Sequence, residues 1–285
     1  MADEAAKEEE AGRMAEQGVL PNQAVPGQID VGRESLLTRI AAEMAQGWAI
    51  AVKDVRVYFL TPPMVMFGLA MPFFMFFSFS VGRNMSPEVG IVRLLAIASF
   101  FTASSVGPVI LPMEKRIRTY DRLLVAPVSL VTVILGKCLV GTFFGLVTSV
   151  LPLLFGMTFF HMGLANPLLV AIGLVAGSLA FSVLGVLFAS LPADNPGAVM
   201  MPSTLIRWPL LFISGIFIPL PDMEPWARAI SYISPLTYTQ DLFNHAVLGA
   251  GVQNLALDLG ALVVCLVAFI IIALKLHDVS RRLGY

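Results

Sequence analysis

Residues 91–129 read IVRLLAIASFFTASSVGPVIL followed by PMEKRIRTYDRLLVAPVS, an apolar run of twenty-one residues that passes without a break into a short loop dense in both charge signs. Arg93 is the one charge in the run and stands near its start. About 20 such residues in a helix cross about 30 Å of hydrocarbon, so the run predicts a transmembrane helix ending at a charged membrane surface. The same alternation extends in both directions. Further apolar runs cover Pro62–Val81, Leu130–Phe155, Pro167–Leu191, Pro196–Leu220 and Leu255–Leu274. The composition agrees: 57% of the 285 residues are hydrophobic and 13% are charged, against roughly 25% charged in a soluble domain. The expected fold is all-α, a polytopic membrane protein of six transmembrane helices.

Basic residues set the expected orientation. Arg33, Arg39, Lys53 and Arg56 precede the first run; Lys115, Arg116, Arg118 and Arg122 follow the second; Lys275, Arg281 and Arg282 follow the sixth. The opposite side holds Arg83, Arg93 and Arg228. Excess Lys and Arg mark the cytoplasmic side, so an even number of crossings with both termini in the cytoplasm is expected. Residues 1–33 carry seven acidic residues up to Asp30 with several Gly and Pro. They read as a disordered acidic tail, because so little apolar area cannot offset the ordering entropy. The tail has no basic start followed by an apolar stretch, so it does not read as a signal peptide. Residues 34–60 repeat apolar residues at Leu37, Ile40, Met44, Trp48, Val52 and Val55, the spacing of one helical face. With Arg39, Glu43, Gln46 and Lys53 opposite, this is an amphipathic helix, read as lying in the membrane interface. Residues 61–285 form the six-span domain.

Between the fifth and sixth runs the chain is neither a plain loop nor a clean span. Pro225, Trp226, Pro235 and Tyr238 mark an aromatic, Pro-broken stretch. A helical hairpin re-entering the outer leaflet fits it, and non-helical backbone at that depth has to be covered by protein or line a cavity. Two short surface helices are the plainer alternative.

Enzyme signatures are missing. Gly136-Lys137 is not preceded by the glycine of a phosphate-binding loop and is followed by Cys138. Neither His-Glu-x-x-His nor Gly-x-Ser-x-Gly occurs. Cys138 and Cys265 lie in separate runs, and His161, His245 and His277 lie in three different connections, so no metal site is expected. The runs are expected to carry no carboxylate at membrane depth, which disfavours a proton-coupled carrier. Arg207 is the deep charge, eleven residues into the fifth run. It either faces a transport path or ties helices together through carbonyls. Lys137 is expected to snorkel to the cytoplasmic surface. Gly141-x-x-x-Gly145 and Gly173-x-x-x-Gly177 read as close helix packing within the chain.

Glu114, Thr119, Asp121, Leu123, Leu124, Pro127, Ser129, Gly136 and Lys137 together resemble a motif of the permease subunits of type-2 ABC exporters, the family of drug-resistance, polysaccharide and nodulation-type exporters. Arg118 and Arg116 depart from it, standing where glycine and an acid are usual. A second similarity covers Phe212–Pro219, Pro225-Trp226 and Ser234–Tyr238. The resemblance implies a homodimer, or a pair of related permeases, with two separate ATPase subunits that hold the ATP and magnesium. This chain itself would bind no cofactor and no nucleic acid. Glu114, Lys115, Arg116, Arg118, Thr119, Asp121, Arg122, Leu123 and Leu124 would form the coupling helix against the ATPase. Spans one, two and five would line the path, with Arg207, Ser214 and Phe217 as candidate path residues. The function so implied is export of a hydrophobic or amphiphilic small molecule across the cytoplasmic membrane. A lipid-linked polysaccharide exporter or an ion-coupled secondary transporter is the alternative.

Overall fold

The computed structural model describes residues 36–58, 61, 62, 66, 70–80, 86–117, 129–190 and 196–282. The acidic tail and most of the charged loop, including Arg118, Thr119, Asp121, Arg122, Leu123 and Leu124, lie outside the described residues. Contacts divide the chain into Met1–Ile40, of which only the opening turn of the first helix is described, and Ala41–Tyr285, which carries everything that follows.

Among the described residues every regular element is helical. The α-helices are α1 (Leu36–Tyr58), α2 (Met71–Ser80), α3 (Pro87–Arg116), α4 (Leu130–Phe159), α5 (Pro167–Ala189), α6 (Pro196–Phe212), α7 (Pro225–Ser231), α8 (Pro235–Phe243) and α9 (Leu255–Arg282). Their starts follow local chemistry. Ser129 caps α4 by accepting a hydrogen bond from the Thr132 amide at 3.1 Å, and Asn166 does the same for the Leu169 amide at 3.1 Å. Pro167 then opens α5 where its missing N–H costs nothing.

Among the described residues four helices are long and apolar enough to cross a membrane: Pro87–Glu114, Val131–Phe159, Pro167–Ala189 and Leu255–Leu276. They coincide with the second, third, fourth and sixth runs. Of the first run, the described part includes the ten-residue α2. The fifth run is shorter than expected. Helix α6 stops after seventeen residues at Phe212, not at Leu220. The chain then turns through Gly215, whose φ of +88° suits glycine.

Helix α3 is the axis of the bundle. Every residue of α3 from Leu94 to Pro112 is buried, whereas only 11% of the apolar stretch of α9 is. The burial is achieved with small residues. Gly107 lies so close to the Gly185 carbonyl that no Cβ would fit there, and Ser99 and Ser178 hydroxyls meet at 3.0 Å between α3 and α5. The Phe100 and Phe181 rings pack edge to face at 5.1 Å. Gly141 and Gly145 seat α4 against Ser182, Ser178 and Ala103, while Gly173 and Gly177 seat α5 against Phe243 and Thr239 of α8. Both glycine pairs therefore serve packing within the chain, as their spacing suggested.

Candidate functional site

The functional geometry begins on α1. Gly47, Ile50, Ala51, Asp54 and Tyr58 are buried, a row at helical spacing. Gly136 of α4 sits against Gly47 and Ile50, where a Cβ on Gly136 would come within 3.0 Å of the Gly47 carbonyl oxygen. The stripe read from sequence as the apolar face points elsewhere: Met44 and Trp48 are 70% and 64% exposed. The helix therefore has two distinct working faces. One packs on protein through small residues and Asp54. The other leaves a Met and a Trp outside, the pattern of a helix at a membrane interface.

Asp54 completes a four-residue ionic cluster. Lys137 of α4 donates to Asp54 Oδ2 and to Glu114 Oε2, both at 2.5 Å. Lys53 pairs with Glu114 Oε1 at 2.5 Å and with Asp54 Oδ1 at 2.8 Å. Two cations face two anions, so the cluster is formally neutral. Asp54, Glu114 and Lys137 are buried, and Lys53 keeps 39% of its side chain in solvent. Lys137 therefore does not snorkel; its ammonium is satisfied inside. Burial pushes the Asp54 carboxyl above the usual range, against the pull of Lys137. For Lys53 burial works against the charge, but hydrogen bonds to Asp54 and Glu114 outweigh it and hold the ammonium above its ordinary range.

The cluster relocates one expected coupling residue. Glu114 faces two lysines inside the protein and is not part of an exposed surface. Arg116 and Ile117, the next described residues of the loop, are exposed. Lys115 lies on the same last turn of α3. Glu114 thus ties the base of the loop to α1 and α4.

Arg207 of α6 is buried and reaches across to α3. Its guanidinium donates to the Ser105 hydroxyl at 2.9 Å, the Ser104 carbonyl at 2.8 Å and the Ser203 hydroxyl at 3.3 Å, and lies 5.8 Å from the Phe188 ring centroid. This is the helix-tying arrangement. Ser214 is buried, with its hydroxyl on the Leu211 carbonyl at 2.7 Å. Phe217 is buried and packs on Phe212 at 5.2 Å. Ser214 lines a pocket of about 210 Å³, together with Thr237, Gln240 and Asp241.

The Pro-broken segment divides into an outer and an inner piece. Pro225 and Trp226 begin α7 and are exposed, Trp226 by 69%. Arg228 staples α7 to the preceding turn by donating to the Leu220 and Pro221 carbonyls at 2.8 and 2.6 Å. Every residue of α8, Pro235 and Tyr238 included, is buried. The Tyr238 hydroxyl donates to the Tyr232 carbonyl at 2.8 Å.

Two functional residues escaped the sequence reading. Asp54 lies on the polar side of an amphipathic helix, where a solvated carboxylate is the ordinary reading. The unsatisfied charge of Lys137 inside an apolar run was the signal that a partner had to exist. Asp258 is the second. It stands in the first turn of α9, inside the sixth run, and is fully buried. The reading that no run contains Asp or Glu is therefore corrected for the sixth run.

Long apolar helices packed through glycine and serine are those of a multi-pass membrane protein. The chain belongs to the ABC-2 family of transporter proteins, whose family model matches residues 86–275. It is similar to the inner membrane transport permease YadH of Escherichia coli K12, 29% identical over 166 residues that cover 58% of this chain and 64% of that protein. It is also similar to nodulation protein J of Neorhizobium galegae, 28% identical over 174 residues, 58% of this chain and 62% of the relative. Nodulation protein J of Rhizobium leguminosarum bv. viciae is 25% identical over 174 residues. The matched stretch thus spans just under two thirds of these relatives.

Proposed function

We propose that this chain is the transmembrane subunit of an ATP-driven exporter, moving a hydrophobic or amphiphilic small molecule outward across the cytoplasmic membrane. It crosses six times, with α2 in the first crossing and α6 in the fifth, and both termini face the cytoplasm. It works as a homodimer or beside a related permease, with two separate ATPase subunits hydrolysing ATP.

The observation that carries this reading is the ionic cluster of Lys53, Asp54, Glu114 and Lys137. It joins the interface helix, the base of the charged loop and the third span at one end of the bundle. A push on the loop at Arg116–Leu124 reaches α1 and α4 through charge-assisted bonds, which are short and directional. Membership of the ABC-2 family supports the same reading. The amphiphile class follows from spans rich in Phe and Met, with Arg207 as their deep cation.

Purification of the full chain from its native membrane tests the proposal. An ATPase subunit is expected to copurify in a fixed ratio and to hydrolyse ATP faster when amphiphiles are added. Transport driven by an ion gradient, without any associated ATPase, would overturn it.

A further inference from the structure

At the end of the bundle opposite the ionic cluster, three side chains from three elements converge. Asp241 lies on α8, His245 on the π-helical turn Asn244–Leu248, and Asp258 on the first turn of α9. One ligand-type atom from each lies within 4.8 Å of the others. We infer that Asp241, His245 and Asp258 form a binding site for a divalent cation of the zinc class, which fastens α8 to α9.

The first support is charge. Asp241 already accepts from the Val252 and Gln253 amides at 2.8 and 2.7 Å, one for each oxygen. Asp258 is fully buried, yet neither of its oxygens accepts a hydrogen bond from a protein donor. A buried carboxylate without a donor is costly, and a second carboxylate beside it adds repulsion. A cation between them removes both costs.

The second support is how His245 is held. Its Nε2 lies 2.8 Å from the Gln253 carbonyl oxygen and 4.0 Å from Asp241 Oδ2. Gly251 packs so closely on the imidazole that a side chain there would displace the ring. Gly249, at φ +73°, turns the chain back so that residues 251–253 cover the site. Single-turn π insertions occur mostly where a helix adapts to a functional site. The Gln253 carbonyl accepts the Nε2–H proton and so fixes the ring, leaving Nδ1 as the nitrogen available to a metal. Two carboxylates and one imidazole suit a first-row dication, the imidazole favouring Zn²⁺ over Ca²⁺ or Mg²⁺. Asp241 and Val252 also line the pocket of about 210 Å³, which gives an ion a way in.

Zinc binding to the chelator-stripped full chain in detergent tests the site, by calorimetric titration and metal content, with thermal melting beside it. The wild type is expected to take up about one Zn²⁺ per chain and to melt higher with it. Asp258→Asn and His245→Gln are each expected to bind at least roughly tenfold more weakly, the lower end of what loss of even an outer-shell partner costs. Asp222→Asn, an exposed carboxylate on the turn before α7, is expected to bind as wild type. Asp258→Asn keeps the shape and removes a buried charge, so it is expected to fold without metal. No stoichiometric Zn²⁺ uptake by the wild type would overturn the site. So would unchanged affinity in both variants, or uptake of Ca²⁺ in place of Zn²⁺, which leaves the imidazole without a role.

Discussion

The two ends of the bundle bury charge in opposite ways. At one end Lys53, Asp54, Glu114 and Lys137 balance each other, and each carboxylate is contacted by both ammonium groups. At the other end Asp241 and Asp258 share a single imidazole, and Asp258 has no protein donor. The first end is complete within the chain, as suits a joint that carries force. The second is completed from outside, as suits a site that takes a ligand. Arg207 stands apart from both, a cation held by two hydroxyls and a carbonyl.

Breaking the balance of the first end has the largest expected effect. Lys137→Met leaves two buried carboxylates with only the half-exposed Lys53, and is expected to destabilise the protein by about 3–5 kcal/mol. Thermal unfolding in detergent reads this; a shift within error would mean the cluster is not formed. Arg207→Lys comes next. It keeps the charge but loses the planar fork that reaches Ser105 and Ser104 together, at an expected cost of about 1.5–3 kcal/mol. An unchanged melting temperature would show that α6 and α3 are not tied there. Asp258→Asn sharpens the contrast, because it has the opposite sign. In metal-free buffer it relieves repulsion and is expected to raise the melting temperature, where removal of a charge at the first end lowers it.

The smallest effect is a pH dependence. The folded state holds the Lys53 proton more tightly than the unfolded chain does. The stability this adds is fully present below roughly pH 10.5 and is lost as pH rises through the higher folded-state value. Because 39% of the side chain is exposed, water screens much of it. The alkaline loss of melting temperature is expected to be slight, and absent in Lys53→Met. An equal loss in that variant would place the titrating group elsewhere.

Much of the fold could be read along the chain because lipid imposes a length rule. The runs around Ile91, Leu130, Pro167 and Leu255 became helices of spanning length with boundaries close to those expected. The end of α6 was less legible. Apolar residues continue from Phe212 to Leu220, and hydropathy cannot distinguish a helix from a buried turn made possible by Gly215. The apolar stripe of α1 was legible, but the face that packs on protein was not. Periodicity finds the greasiest stripe, whereas this helix packs through its smallest residues, Gly47 and Ala51, and points Trp48 outward. The three-element site was invisible, since Asp241, His245 and Asp258 have no metal-ligand spacing in sequence and meet only when the π turn folds back on α9.

The central claim is that the Lys53–Asp54–Glu114–Lys137 cluster couples this permease to a separate ATPase. Its most direct test is amphiphile-stimulated ATP hydrolysis by the purified complex carrying Glu114→Gln together with Lys137→Gln. This pair of changes keeps the net charge and leaves Lys53 with Asp54. The account predicts a complex that still assembles and hydrolyses ATP at its basal rate, with the stimulation lost. Stimulation equal to that of the wild type would contradict it.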